Sequence, residues 1–311
     1  MKPNLFIVGA PKCGTTAWVK YLSGHPEIAF GSVKEPHYFS SDFPRMAQVA
    51  NIDEYLSLFR NNSAKIIGEA SVLYLYSEVA ARKIYDFNPQ SKIIILVRRQ
   101  EEFLPSFHNQ LSLNFQESIE DFNVAWNLSG SRSAQSIPNS CRVDMQLNYK
   151  EMGKFWKYSR RYFDIYPRDQ IRLIHYDDWT MNTRTVYRGI LEFLGLDDDG
   201  RTDFPRVNSR SRHRYLSVAR FLQQPPPMIE RYLEFLHRFF GVRSFGLAPA
   251  IEKLNRRIAA SPAISSELKD EIRKYYQDEN RQLQEFFENT WDVPAATSHI
   301  VPGRMARNQR G

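Results

Sequence analysis

The chain has 311 residues, of which 42% are hydrophobic and 25% charged, so its composition is that of a globular protein and not of a disordered one. The 42 lysines and arginines exceed the 35 aspartates and glutamates, and the net charge of +7 favours anionic partners without naming one. No apolar run approaches the roughly 20 residues of a transmembrane span, and two cysteines cannot form a disulfide framework. We therefore expect a chain without a transmembrane segment in the reducing cytoplasm.

Strands and helices alternate in the first half of the chain. Strands are predicted at 4–9 (NLFIVG), 65–68 and 92–97 (KIIILV). Helices are predicted at 15–22, 53–59 with Asp53 as the N-cap, 77–87 and 101–113, and 25–44 are interpreted as an ordered loop. The strand at 92–97 is apolar at successive positions, as in a parallel sheet that is covered on both faces. The pattern predicts an α/β fold, with a central parallel sheet flanked by helices.

The second half of the chain is more helical. Helices are predicted at 149–163, 183–194 with Gly195 closing the second of them, and 265–287, with one strand at 171–175. Residues 116–143 and the Arg-rich 197–214 are interpreted as loops. No repeat or linker divides the chain, so we predict a single domain over residues 1–292 and a flexible basic tail at 293–311.

The segment 9–16 (GAPKCGTT) lies between the first predicted strand and the first helix. Backbone N–H groups at a helix N-terminus bind anions, and the helix dipole favours negative charge there. Thr15 and Thr16 add hydroxyl donors, and Lys12 adds a positive charge. The segment differs from the loop of ATP-binding enzymes, in which the lysine follows the second glycine. We therefore predict an anion site of a different class.

The residues after the strand at 92–97 bear on the choice of enzyme class. A magnesium-dependent kinase needs a carboxylate there to hold the metal, whereas this chain has Arg98 and Arg99. Two cations suit direct binding of a phosphate. A small-molecule kinase that uses ATP remains an alternative, but the sequence disfavours it.

Taken in order, these segments resemble the sulfotransferases that use 3′-phosphoadenosine 5′-phosphosulfate (PAPS). Residues 11–16 with Trp18 look like the 5′-phosphosulfate loop of that family, and Arg98 and Ser106 have the spacing of its 3′-phosphate-binding Arg and Ser. Between these two motifs, residues 68–71 and 74–76 look like the connecting segment of the family, and residues 176–179 and 193–196 resemble its later landmarks. The chain departs from the family at Arg99-Gln100, where Asp or Asn followed by Pro is usual. The resemblance implies a P-loop-like three-layer fold with a helical C-terminal part, and sulfuryl transfer from PAPS without a metal.

The resemblance also implies how PAPS is held. The 5′-phosphosulfate would be bound by Pro11, Lys12, Cys13, Gly14, Thr15 and Thr16, and the 3′-phosphate by Arg98 and Ser106. Lys12 would also stabilise the leaving phosphate. A further phosphate-binding loop is expected around Arg210 and Arg212, for which a solvated basic loop is equally compatible with the sequence. Cys13 is interpreted as a variable loop position and not as a redox residue, because no second cysteine is close in sequence.

Residues 33–39 (VKEPHYF) are similar to a segment of carbohydrate and heparan-sulfate sulfotransferases in which the Glu is the general base. By this resemblance Glu35 would take the proton of the acceptor hydroxyl, and His37 would lie on the acceptor side. His37 and His108 are the rival bases, and His108 could equally be a packed core residue. Lys34 could contact the sulfonate or the acceptor. Ser40 stands where the glycosaminoglycan enzymes commonly have Asp, which weakens the prediction of a glycosaminoglycan acceptor.

The sequence predicts the acceptor only as a hydroxyl on a carbohydrate or another small molecule, in a cleft framed by 25–44 and 116–143. A non-catalytic relative that retains nucleotide or glycan affinity is a further alternative. No RNA- or DNA-binding motif accompanies the basic charge, so no nucleic-acid partner is expected. Within this family, the sequence resembles a soluble member of the bacterial type.

Overall fold

The computed structural model describes residues 1–59, 64–207 and 264–286, together with the backbone of 211–213, 256–258 and 287–288. The strands β1 to β7 are Leu5–Gly9, Ile28–Phe30, Ile66–Ala70, Lys92–Val97, Ile171–His175, Ser211–His213 and Arg256–Ile258. The helices α1 to α11 are Thr15–Leu22, Ile52–Ser57, Ala80–Phe87, Gln100–Leu113, Phe122–Asn127, Tyr149–Met152, Phe155–Phe163, Tyr176–Met181, Thr183–Phe193, Ser266–Tyr275 and Gln277–Glu288. Short 3₁₀ turns lie at Pro44–Met46, Ala134–Ser136, Asp144–Leu147 and Arg168–Gln170.

A parallel sheet in the order β2-β3-β1-β4-β5 forms the centre of the fold. Every residue of β1 and β3 is buried, as is every residue of β4 except Lys92, because helices cover both faces of the sheet. Burial of each isoleucine in β4 stabilises the fold by about 1.5–3 kcal/mol. The carboxyl ends of parallel strands share one edge, and the chain reverses its winding direction beside β1. Open α/β sheets bind ligands at such an edge. The predicted α/β architecture with a central parallel sheet is confirmed.

Two predictions for residues 25–59 were wrong in detail. The segment taken as a loop contains β2, which has only three residues and pairs with β3 at the edge of the sheet. A strand this short has no periodicity that the sequence could display. The N-cap of α2 is Asn51 and not Asp53, since Asn51 Oδ1 accepts a hydrogen bond from the backbone N of Glu54 at 2.9 Å.

Helix predictions further along the chain were also corrected. Residues 116–143 contain α5, whose first turn is capped by the carboxylate of Asp121. The predicted helix at 149–163 is divided into α6 and α7 at Gly153, where the ring of Tyr276 occupies the space that a side chain would fill. The predicted helix at 265–287 is divided into α10 and α11 at Tyr276. A contact between parts of the chain that are far apart in sequence therefore determines these breaks.

The two C-terminal helices pack on the sheet domain through specific polar contacts. Arg273 Nε of α10 lies 2.9 Å from Glu101 Oε1 of α4, and Gln100 Nε2 donates to Asn280 Oδ1 at 2.8 Å. The backbone N of Trp156 donates to Glu279 Oε2 at 3.0 Å. In the part of the chain that the structure describes, no helix is both long and apolar enough to cross a membrane. The predicted tail at 293–311 lies outside the described residues.

Candidate active site

The loop between β1 and α1 carries the residues of the predicted anion site. Gly14 has a φ of 94°, in the left-handed region that favours glycine, and α1 begins at the next residue. The hydrogen bonds of α1 begin with the N of Ala17, which donates to Gly14 O at 2.9 Å, so the N–H groups of Thr15 and Thr16 precede the bonded part of the helix, where the helix dipole adds positive potential. Thr15 is buried, whereas Lys12 and Thr16 are partly exposed beside the same turn. The loop can therefore present several hydrogen-bond donors and a cation to one anion.

The indole of Trp179 covers this loop. A Cβ atom at Gly14 would lie 2.4 Å from Cζ2 of Trp179, so no other residue fits here without displacing the ring. Trp179 belongs to α8 and meets Trp18 of α1 edge to face, with the ring centres 5.8 Å apart. Neither indole N–H has a hydrogen-bond partner among the described residues, although both are buried. The sequence singled out 176–179 as a family landmark but did not assign Trp179 to the site.

The thiol of Cys13 is fully buried in the same loop. Burial raises its pKa to about 12, although the nearby charges of Arg98 and Lys12 act in the opposite direction. A thiol with this pKa stays protonated at neutral pH and is a poor nucleophile. Burial therefore argues against a redox role for Cys13, as the sequence indicated, and it makes Cys13 a packed residue of the loop.

Arg98 directly follows β4, close to the anion loop, where its charge lowers the pKa of the Cys13 thiol. Its NH2 atom lies 2.6 Å from Glu102 Oε2, and its guanidinium carbon lies 4.2 Å from the ring centre of Tyr176. Ser106 lies two turns further along α4 and is buried. The structure thus shows the pairing of Arg98 with a carboxylate, while the binding of a 3′-phosphate by Arg98 and Ser106 stays a prediction.

Glu35 lies at the same edge of the sheet as the anion loop. Its backbone N donates to Ala70 O at 3.0 Å, at the carboxyl end of β3, and Ala70 is opposite Ile7 of β1. The Glu35 carboxylate pairs with Lys34, and its Oε2 lies 3.6 Å from Nε2 of His37. Burial opposes the ionised form, but His37 and Lys34 outweigh it and lower the pKa of Glu35 to about 2. At neutral pH the side chain is therefore a carboxylate that can accept a proton.

The backbone around Glu35 is strained. Glu35 and His37 have φ values of 62° and 53°, in the left-handed region that residues with side chains rarely adopt. Each such residue costs about 1–3 kcal/mol, and conformations of this kind are concentrated at functional sites. The side chain of Glu35 remains 32% exposed, whereas His37 is buried. The segment therefore combines a strained backbone with a carboxylate that stays partly exposed at the edge of the sheet.

His108 occupies a different environment from the other rival base. Its Nε2 lies 2.8 Å from the backbone O of Ile119, and its ring packs against the rings of Phe122 and Tyr149. Burial lowers the pKa of His108. This geometry favours the packed interpretation over the role of a base.

The structure brings three of the predicted site residues to one edge of the sheet, since Lys12, Glu35 and Arg98 follow or contact the carboxyl ends of β1, β3 and β4. Arg210 lies outside the described residues, and Arg212 is described only as backbone in β6, opposite Arg257 of β7. Among the residues that can be described, no cluster of His, Cys, Asp or Glu has the geometry of a metal site.

Comparison with known proteins identifies the family. The model of the sulfotransferase domain matches residues 2–220, which is well over half of the chain. The chain belongs to this family. A crystal structure of a sulfotransferase from Alicyclobacillus acidocaldarius is 26% identical and superposes with a TM-score of 0.59, covering 80% of this chain and 99% of that one. The predicted family is therefore confirmed.

Two curated human sulfotransferases are similar to parts of the chain. Carbohydrate sulfotransferase 15 is 23% identical over 250 residues, which cover 62% of this chain and 44% of that protein. Heparan sulfate glucosamine 3-O-sulfotransferase 6 is 30% identical over 140 residues, which cover 40% of this chain and 38% of that protein. The chain thus spans less than half the length of these curated relatives.

Proposed function

We propose that this protein transfers the sulfuryl group of PAPS to an acceptor hydroxyl. Membership of the sulfotransferase family supports this activity. The observation that carries the proposal is the ionised, partly exposed Glu35 held at the edge of the sheet beside the loop that carries Lys12. A carboxylate next to an anion-binding helix start provides both the base and the leaving-group stabilisation that such a transfer needs.

The reaction is an in-line displacement at sulfur. The acceptor oxygen forms a bond to sulfur while the bond from sulfur to the bridging oxygen of the phosphosulfate breaks, and adenosine 3′,5′-bisphosphate leaves. Glu35 takes the hydroxyl proton. Lys12 and the first amides of α1, with Thr15 and Thr16, stabilise the negative charge that develops on the 5′-phosphate. In this proposal Pro11, Cys13 and Gly14 shape the loop, and Arg98 and Ser106 hold the 3′-phosphate.

The pairing of Lys34 with Glu35 affects the strength of the base. Lys34 and His37 hold the pKa of Glu35 at about 2, so the carboxylate is fully ionised but weakly basic. The sulfonate of a bound donor would compete with Glu35 for the ammonium of Lys34. Loss of that pairing raises the pKa of Glu35 and makes it a stronger base when the donor is present.

The acceptor we propose is a hydroxyl of a carbohydrate or a similar small molecule. The names of the two human relatives, a carbohydrate and a heparan sulfate sulfotransferase, support this class. The proposal extends neither to a particular sugar nor to a nucleic-acid partner, and a cytoplasmic location, which the cysteine count favours, stays a prediction.

Calorimetric titration tests the donor site. We expect adenosine 3′,5′-bisphosphate to bind to the wild type and to bind much more weakly to Arg98→Ala, because the guanidinium is a forked donor for phosphate. Arg82→Ala, in an exposed ion pair of α3, is the matched control. Binding of ATP with magnesium in place of the bisphosphate would favour the kinase alternative.

Turnover with PAPS and a panel of sugar and small-molecule alcohols tests the chemistry. We expect Lys12→Ala to lower kcat by about 100- to 1,000-fold and Glu35→Gln by about 100- to 10,000-fold, with bisphosphate affinity nearly unchanged in Glu35→Gln. Lys20→Ala, in the last turn of α1, and Glu27→Gln, both at exposed positions, are the controls. Full activity of Glu35→Gln would give the base role to His37 or His108. Bisphosphate binding without turnover would favour the non-catalytic alternative.

A further inference from the structure

The strained segment that carries Glu35 is supported by two hydroxyl groups. The backbone N of His37 donates to Ser71 Oγ at 3.1 Å, and the backbone N of Phe39 donates to Tyr74 Oη at 3.1 Å. Both acceptors belong to the segment that follows β3. A backbone with two left-handed residues so close together persists only where its surroundings hold it, and these two bonds hold the amides of His37 and Phe39.

The two hydroxyls have protons of their own to donate. A hydroxyl that accepts a hydrogen bond from an amide still has one O–H donor, and the carboxyl group beside Ser71 and Tyr74 is that of Glu69, the fourth residue of β3. Glu69 is only 2% exposed, and its Oε2 accepts a hydrogen bond from the hydroxyl of Tyr55 at 3.2 Å. Its Oε1 is buried and has no hydrogen-bond partner among the described residues, while the hydroxyls of Ser71 and Tyr74 are close enough to lower the pKa of Glu69. Glu69 is therefore placed to receive the protons of the two supporting hydroxyls.

We propose that Glu69, acting through Ser71 and Tyr74, is a positioning residue that holds Glu35 in its catalytic conformation. The carboxylate orients the two hydroxyls so that their lone pairs face the amides of His37 and Phe39. This proposal rests on the proposed function, because it gives Glu69 a role only if Glu35 is the base.

The surroundings of Glu69 make its charge depend on pH near neutrality. Burial raises the pKa of Glu69 to about 7, and the charge of Glu35 acts in the same direction, whereas the neighbouring hydroxyls lower the pKa. Three other titratable groups among the described residues face Glu69: Tyr55 of α2, Tyr162 of α7, and Tyr74 in the segment after β3. Burial raises the pKa of each tyrosine above its ordinary value. The tyrosines therefore stay neutral, and Glu69 is the group that titrates.

The sign of the pH effect follows from the hydrogen bonds. Above about pH 7, the ionised Glu69 accepts from the hydroxyls and its negative charge raises the pKa of Glu35. Below that pH, protonated Glu69 competes as a donor and both effects are lost. We expect the kcat of the wild type to fall severalfold as the pH drops through about 7. This fall in the pH profile of kcat should be absent in Glu69→Gln.

Conservative variants separate positioning from general packing. We expect Ser71→Ala and Tyr74→Phe to lower kcat by about ten- to a hundredfold, as for a small displacement of a catalytic group, while KM and bisphosphate affinity stay close to those of the wild type. Ser159→Ala and Tyr166→Phe are matched controls, because both hydroxyls are buried and neither has a hydrogen-bond partner among the described residues. The inference is wrong if Ser71→Ala and Tyr74→Phe have the same kcat as the two controls. It is also wrong if the kcat of Glu69→Gln still falls as the pH drops through about 7.

Amide hydrogen exchange tests the same inference without turnover. We expect the amide of His37 to exchange about fivefold faster or more in Ser71→Ala, and that of Phe39 in Tyr74→Phe, since each variant removes one hydrogen bond. Unchanged exchange at these amides would overturn the inference even if PAPS is not the donor. Faster exchange in an enzyme inactive with PAPS would instead contradict only the proposed function.

Discussion

Gly14 combines two constraints that can be separated by mutation. A side chain there would be strained because φ is 94°, and its Cβ would contact the indole of Trp179. We expect Gly14→Ala to destabilise the fold by about 1–2 kcal/mol from the backbone and by a further ~1–3 kcal/mol from overpacking. Denaturant unfolding measures the sum of these two losses of stability. Titration calorimetry should show weaker binding of adenosine 3′,5′-bisphosphate to the variant.

Gly195 provides the control for this prediction. Its φ is 66°, but a Cβ there would have no neighbour within 4 Å, so Gly195→Ala introduces only the backbone strain. The difference between the two variants isolates the contact with Trp179. Equal losses of stability, with bisphosphate binding intact in both, would show that Trp179 does not constrain the loop.

Individual residues were predictable from sequence where their function depends on local structure. The loop from Pro11 to Thr16 was identified because a strand, a glycine turn and a helix start are adjacent in sequence. The hydrogen bonds that support the segment around Glu35 could not be predicted, because Ser71 and Tyr74 lie more than 30 residues away from the amides that they bind. Nor does any local pattern indicate that Glu35 and His37 adopt left-handed conformations.

The segment between α4 and α6 is fixed by a buried ion pair. Arg132 donates to both carboxylate oxygens of Glu117, at 3.0 and 2.6 Å, and the hydroxyl of Tyr149 donates to Oε2 at 2.8 Å. Arg132→Met would leave the buried carboxylate of Glu117 without its cation, and loss of one partner of a buried pair costs about 3–5 kcal/mol. We expect this loss in denaturant unfolding at neutral pH.

The pH dependence of stability provides a second measure of this pair. Burial favours the neutral form of Glu117, but hydrogen bonds from Arg132, Tyr149 and the backbone of Ile119 outweigh it and lower its pKa. A lowered folded-state pKa adds stability above the ordinary glutamate pKa of about 4.3, and this stability is lost as the pH falls through the folded value. The acid loss should be smaller in Arg132→Met. Arg82→Met, in an exposed pair, should change neither measurement appreciably; if it matches Arg132→Met, the buried pair has no special role.

Whole elements were predicted best where they are long and buried. The bounds of α1, β4 and β5 agree with the sequence, because apolar periodicity and glycine turns define them locally. The three-residue β2 is too short to show a period, and α5 was missed although α2, which also has six residues, was predicted. The predicted boundaries also failed at Gly153, where a contact with Tyr276 ends a helix. Tertiary packing decided this last case, which no local pattern shows.

At the scale of the whole molecule, the alternation of strands and helices predicted the parallel sheet but not how the C-terminal helices attach to it. The family match ends at residue 220, whereas α10 and α11 pack against α4 and α7 through Arg273, Asn280 and Glu279. The prediction of a single domain over 1–292 therefore requires these helices to unfold together with the sheet.

Tyr276 tests that prediction, because it joins the C-terminal helices to the rest of the protein. It is fully buried, and its hydroxyl donates to the backbone O of Tyr149 at 2.9 Å. We expect calorimetry to show one unfolding transition, which Tyr276→Ala shifts as a whole by the equivalent of about 3–5 kcal/mol. Tyr275→Ala, at a position that is 47% exposed, should cost about 1 kcal/mol or less. Two transitions, or a shift confined to one of them, would mean that the C-terminal helices form a separate unit.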